Sequence, residues 1–274
     1  RDVLGIDLDF QGSLTSTALS EASIDGLYQS EAGGTASKAA HLIDAGTAFY
    51  VVQSGEQVNE VPKARIIPAF YSLATVENRV MVEWLIDNRS DDIRYHLAKV
   101  LHDPDVQEKY DMIIIDAPPR LTTACIQALC AATHVLIPTV LDELSSDAVG
   151  NFCDQLQIHR DLWPELKLLG LVASMTERNP LEQGQGALHE YELRALQKAN
   201  DAMSEALDAA PQNLKQGKAL PPECFIPQKA ELGRSAGRRI AYASPNSSQT
   251  INQVRASFNR LGDDIDRLIG ESKR

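Results

Sequence analysis

The chain is built from short, mainly apolar runs that alternate with longer stretches of helical periodicity. The clearest runs are Val3–Leu8, Met112–Ile115, His134–Val140 and Lys167–Met175. Shorter ones lie at Ala48–Val52, Arg65–Ala69 and Cys224–Pro227. Apolar runs of this length, rich in β-branched residues, predict strands buried on both faces of a parallel sheet. Between them the spacing changes to three and four. Residues 14–30 predict a short helix and a polar loop, Ala36–Leu42 a helical turn, and Leu121–Ala132 a helix. Residues 74–102 predict one helix with Val76, Val80, Leu85, Leu97 and Leu101 on its apolar side. Leu144–Leu162, capped by Asp142, carries Val149, Phe152, Leu156 and Leu162. Residues 176–187 read as a polar loop, Ala187–Ala209 as an amphipathic helix and 210–221 as loop. Ser248–Ile269 places Ile251, Val254, Phe258, Leu261, Ile265 and Leu268 on one face. Strands alternating with helices imply right-handed crossovers. The expectation is an α/β fold: a mainly parallel twisted sheet with helices on both faces, in one domain over 1–274.

Two of the strands end in acid. The first runs into Asp7 and Asp9, the fourth into Asp116, which Pro118 and Pro119 follow. Ligands of open α/β sheets bind beyond the carboxyl ends of the strands. Carboxylates gathered there repel one another unless a cation lies among them. The plainer alternative is a pair of core strands that stop at solvated acids.

Bulk properties narrow the choice. The chain has 274 residues, 43% of them hydrophobic, which suffices for a sizeable core. Cys125, Cys130, Cys153 and Cys224 show no CxxC spacing, which argues against a zinc or iron–sulfur site made by this chain alone and suits a reducing cytosol. No apolar run approaches the roughly eighteen residues needed to span a membrane, and no signal peptide is recognisable. The chain opens on Arg1-Asp2 and enters a strand at once, without an initiator Met, so residues upstream of Arg1 are expected to be missing.

Taken together, several blocks resemble ParA-type partition ATPases. Val3 to Ser13 is similar to that family's hydrophobic-DLDPQG-S/N stretch, and Tyr110 to Pro119 to its YDxIIIDxPP segment. Ile126 to Ala132 with Val135–Pro138 resembles the NAL-x-AAD-x-VLIP run, and Phe225–Pro227 the late IPR segment. The resemblance implies a P-loop NTPase-like fold of the deviant Walker class that binds ATP and Mg²⁺. It also implies dimerisation on ATP, non-specific DNA binding, and stimulation by a ParB-type partner at the nucleoid in the cytoplasm. By position, Asp7 and Asp116 would hold Mg²⁺ and its waters, and Asp9 would orient the attacking water. Asp116, Pro118, Ile226 and Pro227 would stand at the nucleotide. This scheme needs no general base, so His134 is expected to be structural.

The departures are specific. The family's phosphate loop, KGGxGKT/S, precedes the first strand seen here, so the chain is expected to lack the first strand–P-loop–helix unit. No other stretch replaces it. Ala32–Ala39 has glycines and Lys38, but in the wrong order and without a leading strand, and reads as a flexible loop. As written, the chain is expected to bind ATP poorly, either because its N-terminal segment was omitted or because it is a P-loop-less homologue that serves as a scaffold. Phe10 stands where the family has Pro, and Arg120 follows the Pro pair.

Charge is unevenly spread. Against an overall net charge of −12, the segment 226–260 holds Lys229, Arg234, Arg238, Arg239, Arg255 and Arg260 with one acid, Glu231. That is a local +5, which leaves −17 for the remainder. A one-sided basic face suits sequence-tolerant contact with DNA phosphates, and Lys229, Arg234, Arg238, Arg239 and Arg255 are the candidate contacts. A MinD-like membrane helix is the other reading of the C-terminus, but Asp263, Asp264 and Asp266 lie on it and the tail has no apolar anchor.

Overall fold

A computed structural model describes residues 1–44, 49–86, 91–181, 183–215, 217–230, 232, 240–243 and 248–272. The chain divides into two compact units. The first comprises 1–132 with a later segment that includes 240–243, and the second covers most of the remainder.

The first unit holds β1 (Val3–Asp7), β2 (Glu56–Gln57), β3 (Ala64–Ile67) and β4 (Met112–Asp116), in the order β2-β3-β1-β4. β1 is parallel to both β3 and β4, and only β2 runs antiparallel. Side chains alternate across the sheet as strand geometry requires. Ile67 faces a core of Leu4, Ile6 and Leu8 with Leu42 and Ile43 of α3 (Lys38–Asp44), Leu73 of α5 (Ser72–Ile86) and Ala124 and Ala128 of α8 (Thr123–Ala131). Ile66 faces the other way, onto Ala18 of α1 (Ser13–Ala18), Leu19, and Ile24 and Leu27 of α2 (Glu21–Ala32). Helices therefore cover both faces. Leu4 and Ile6 have no accessible surface, and each such side chain contributes about 1.5–3 kcal/mol by leaving water.

The second unit holds β5 (His134–Val140), β6 (Lys167–Thr176), β7 (Lys218–Ala219) and β8 (Ile226–Pro227), all parallel, with β6 central. Its core joins Leu171 and Ala173 of β6 to Val149 and Cys153 of α9 (Glu143–Ile158) and Ala199 and Met203 of α10 (Glu190–Ala206). β6 and β7 meet so closely at Gly170, at φ 134°, that a Cβ there would lie 1.8 Å from the Lys218 carbonyl oxygen.

Four expectations change. The polar loop expected within 14–30 is largely the helix α2. Phe49–Gln53, which overlaps the run Ala48–Val52 expected as a strand, is a helix, α4; Val51 and Val52 are buried in the first core, and that burial overrides their β preference. The single helix expected over 74–102 ends, in its first part, at Ile86 with α5; the chain restarts at Ile93–Tyr95 and continues as α6 (His96–Leu101). The restart has a local cause, since the Asp92 side chain caps it by accepting the Arg94 N–H at 3.1 Å. The stretch 210–221, expected as loop, contains the short helix α11 (Gln212–Lys215) and β7. The Gly-rich stretch 32–39 is entered from α2 rather than from a strand, and Lys38 pairs with Glu56 at 2.6 Å.

Candidate functional site

The acid-ended strands lie side by side. β1 and β4 stay in register to their last residues, so Asp7 stands opposite Asp116. The Leu8 N–H extends the ladder to the Asp116 carbonyl at 2.8 Å. The chain then turns sharply. The Asp9 carboxylate accepts the Gln11 N–H at 3.0 Å, and its carbonyl accepts the Gly12 N–H at 2.9 Å. Gly12 has φ 63° and lies so close to Ala69 that a Cβ would stand 2.8 Å from that carbonyl oxygen. Phe10, in the place of the family's proline, is half-buried and packs on the first core, so a side chain rather than a ring constraint ties down this turn.

The three carboxylates differ in environment. Asp7 has no accessible surface. Its Oδ2 accepts the Thr15 hydroxyl at 2.7 Å and the Thr15 N–H at 2.8 Å, and its Oδ1 accepts the Asp9 N–H at 3.1 Å. Burial pushes its carboxyl up from the usual range, and the Thr15 hydrogen bonds oppose that rise. Three acceptor positions are thus used and one remains, on Oδ1. Asp9 is half-buried on the loop. Asp116 is exposed at its strand end, yet its carboxyl is pushed up to about 6, first by partial burial and then by the charges of Asp7 and Asp9. Because solvent reaches it, a cation can reach it too, and would reverse that rise.

Among the described residues no group of three His, Cys, Asp or Glu side chains is placed to hold a metal unaided. The donor set at the ends of β1 and β4 is therefore partial. It fits Mg²⁺, which keeps several waters and takes one or two carboxylates together with phosphate oxygens. It does not fit a cation that needs a full protein cage.

The other expected residues belong to other parts of the chain. Pro118 is half-buried just beyond β4. Ile226 and Pro227 are buried on β8 of the second unit, paired with Ser174 and Thr176. Lys229 and Arg255 are half-exposed, and Arg255 bonds Asn252 at 3.4 Å. Arg234, Arg238 and Arg239 lie outside the described residues. Sequence reasoning missed Thr15, which sits in a run of small polar residues that carries no motif of its own.

Mainly parallel sheets packed against helices, with acids meeting at adjacent strand ends, make this an α/β fold. The ParA of pNOB8 has this fold, with a TM-score of 0.61 at 20% identity over 99% of this chain and 89% of its own. Apo McdA of Cyanothece shares it too, with a TM-score of 0.59 at 15% identity over 96% and 87%. Solved structures also exist of pNOB8 ParA bound to nonspecific DNA and of a McdA complex with ATP. The AAA_31 family, described as an AAA domain, matches residues 1–168. The chromosome-partitioning ATPase Soj of Thermus thermophilus is 32% identical over 75 residues, 27% of this chain and 30% of that protein. An uncharacterised protein of Pseudomonas putida is 34% identical over 71 residues, 27% of its length. The matched stretch thus spans under a third of these curated relatives. The chain belongs to the ParA-type partition ATPase family.

Proposed function

We propose that the complete protein is a Mg²⁺- and ATP-dependent DNA-segregation ATPase of plasmid or chromosome partition. In this reading its two compact units act as one ATPase domain. It dimerises on ATP, binds DNA without sequence preference at the nucleoid in the cytoplasm, and is stimulated by a ParB-type partner. The observation that carries the reading is the register of β1 and β4, which sets Asp7 against Asp116 with Asp9 on the adjoining loop. The nucleotide-bound and DNA-bound relatives support it, and among the described residues no helix is long and apolar enough to cross a membrane.

Phosphoryl transfer asks chiefly for positioning and charge neutralisation. Bound Mg²⁺ supplies the neutralising charge on the phosphoryl oxygens. Asp116 would offer its exposed carboxylate to the ion, and Asp7, buried beside it in register, would add its negative charge. Asp9 orients the attacking water. Pro118, Ile226 and Pro227 border the base, and Lys229, Arg234, Arg238, Arg239 and Arg255 meet DNA phosphates.

The test is ATP hydrolysis by the complete protein, with and without DNA and a ParB-type protein. Asp116→Ala should lower turnover by about tenfold or more, and chelation of Mg²⁺ should abolish it. Turnover that survives Asp116→Ala would reject the site assignment.

A further inference from the structure

The loop that carries Asp9 is closed by one buried hydroxyl. Thr15 and Asp7 both have no accessible surface. The Thr15 hydroxyl donates to Asp7 at 2.7 Å, and its oxygen accepts the Ala69 N–H at 3.0 Å. One side chain thereby joins the end of β1, the start of α1 and the chain just beyond β3. Gly12 presses on the same Ala69 from within the loop. Asp7 in turn holds the Asp9 N–H, so Asp9 is placed from both ends of the loop.

We propose that Thr15 is a positioning residue for hydrolysis: with Asp7 it clamps the loop 8–14 onto the end of β3 and so sets where Asp9 stands beside Asp116. The inference rests on the ATPase reading above. Asp7 on this view serves the site first as the loop's anchor. Valine at position 15 would keep the shape and lose the hydroxyl, which leaves the buried Ala69 N–H without that acceptor and Asp7 with one donor fewer. Serine keeps both bonds. Small displacements of a positioning group cost rates far more than affinities.

Two variants of the complete protein, Thr15→Val and Thr15→Ser, decide the matter through two readouts. In ATP hydrolysis, Thr15→Val should lose about tenfold or more in kcat with KM for ATP within about threefold, and Thr15→Ser should recover most of the loss. In amide hydrogen exchange, Thr15→Val should speed residues 8–15 and Ala69 by about tenfold or more, leave β6 unchanged, and Thr15→Ser should keep them slow. Full activity in Thr15→Val, no recovery in Thr15→Ser, or faster exchange spread evenly over the molecule would each overturn the proposal. If the unsubstituted protein hydrolyses no ATP, the ATPase reading fails and the positioning role with it. The exchange contrast then still decides the clamp, which is wrong if residues 8–15 exchange alike in all three proteins.

Discussion

Asp116 is the residue at which folding and chemistry pull apart. Partial burial and two neighbouring acids raise its carboxyl to about 6, above the ordinary value of 3.8. Between those values the folded state keeps a proton that the unfolded chain has released. Stability therefore falls as pH rises through that window and levels off above it. Asp116→Asn removes the penalty. Its urea midpoint should exceed that of the unsubstituted protein at pH 7, and the two should converge below about pH 4. Solvent screens an exposed group, so the gain should stay within about 1 kcal/mol. A variant less stable than the parent at pH 7 would show that the acids do not repel. The site is thus held together against its own charge, which a bound divalent cation would relieve.

Among the elements, the C-terminal helix (Gln249–Ser272) shows how an acid inside a helix can be structural. Ile251 and Val254 are buried, and Leu261 and Leu268 pack on the second core. Asp264 is 5% exposed, accepts the Cys224 thiol at 2.8 Å, and pairs with Arg260 and Arg267 at 3.0 Å each. Burial works to raise its carboxyl, but the bonds from Cys224 and Arg267 and the two guanidinium charges outweigh it and hold it below the usual range. The Cys224 thiol is pushed up to about 12, chiefly by burial and then by Asp264, so it stays protonated as the donor. The helix is thereby fastened to the turn Pro222–Cys224 that leads into β8. Asp264→Ala should cost about 2 kcal/mol in chemical denaturation, the loss expected when buried hydrogen-bonded partners are stranded. An unchanged midpoint would mean that the apolar face alone holds the helix.

For the whole molecule the governing feature is polarity of charge. On the proposed reading, a chain at −12 would meet DNA through a segment of opposite charge, and along the sequence 226–260 carries a local +5. Replacing Arg238 and Arg239 together by alanine should weaken retention on DNA of any sequence by about tenfold at moderate salt. It should also reduce the salt slope by about 2. Retention unchanged at low salt would move the DNA-binding face elsewhere.

The sequence alone determined what depends on local pattern. His134–Val140 is a strand as expected, because a continuous apolar run has little choice once buried. Asp142 caps the helix it precedes through a side-chain bond to a nearby amide. Asp7, Asp9 and Asp116 were legible because acids that end apolar strands of a parallel sheet must emerge at the same edge. Tertiary structure decided the rest. It made Phe49–Gln53 a helix, because buried packing outweighs β-branched preference. Among the described residues it gathered the strands into two four-stranded sheets, since pairing joins residues far apart in the chain. It also seated Thr15 between Asp7 and Ala69, a bond across 54 residues that no local spacing announces. Which acid is buried and which is exposed was decided by such long-range contacts, and contacts of that range exist only once the chain has folded.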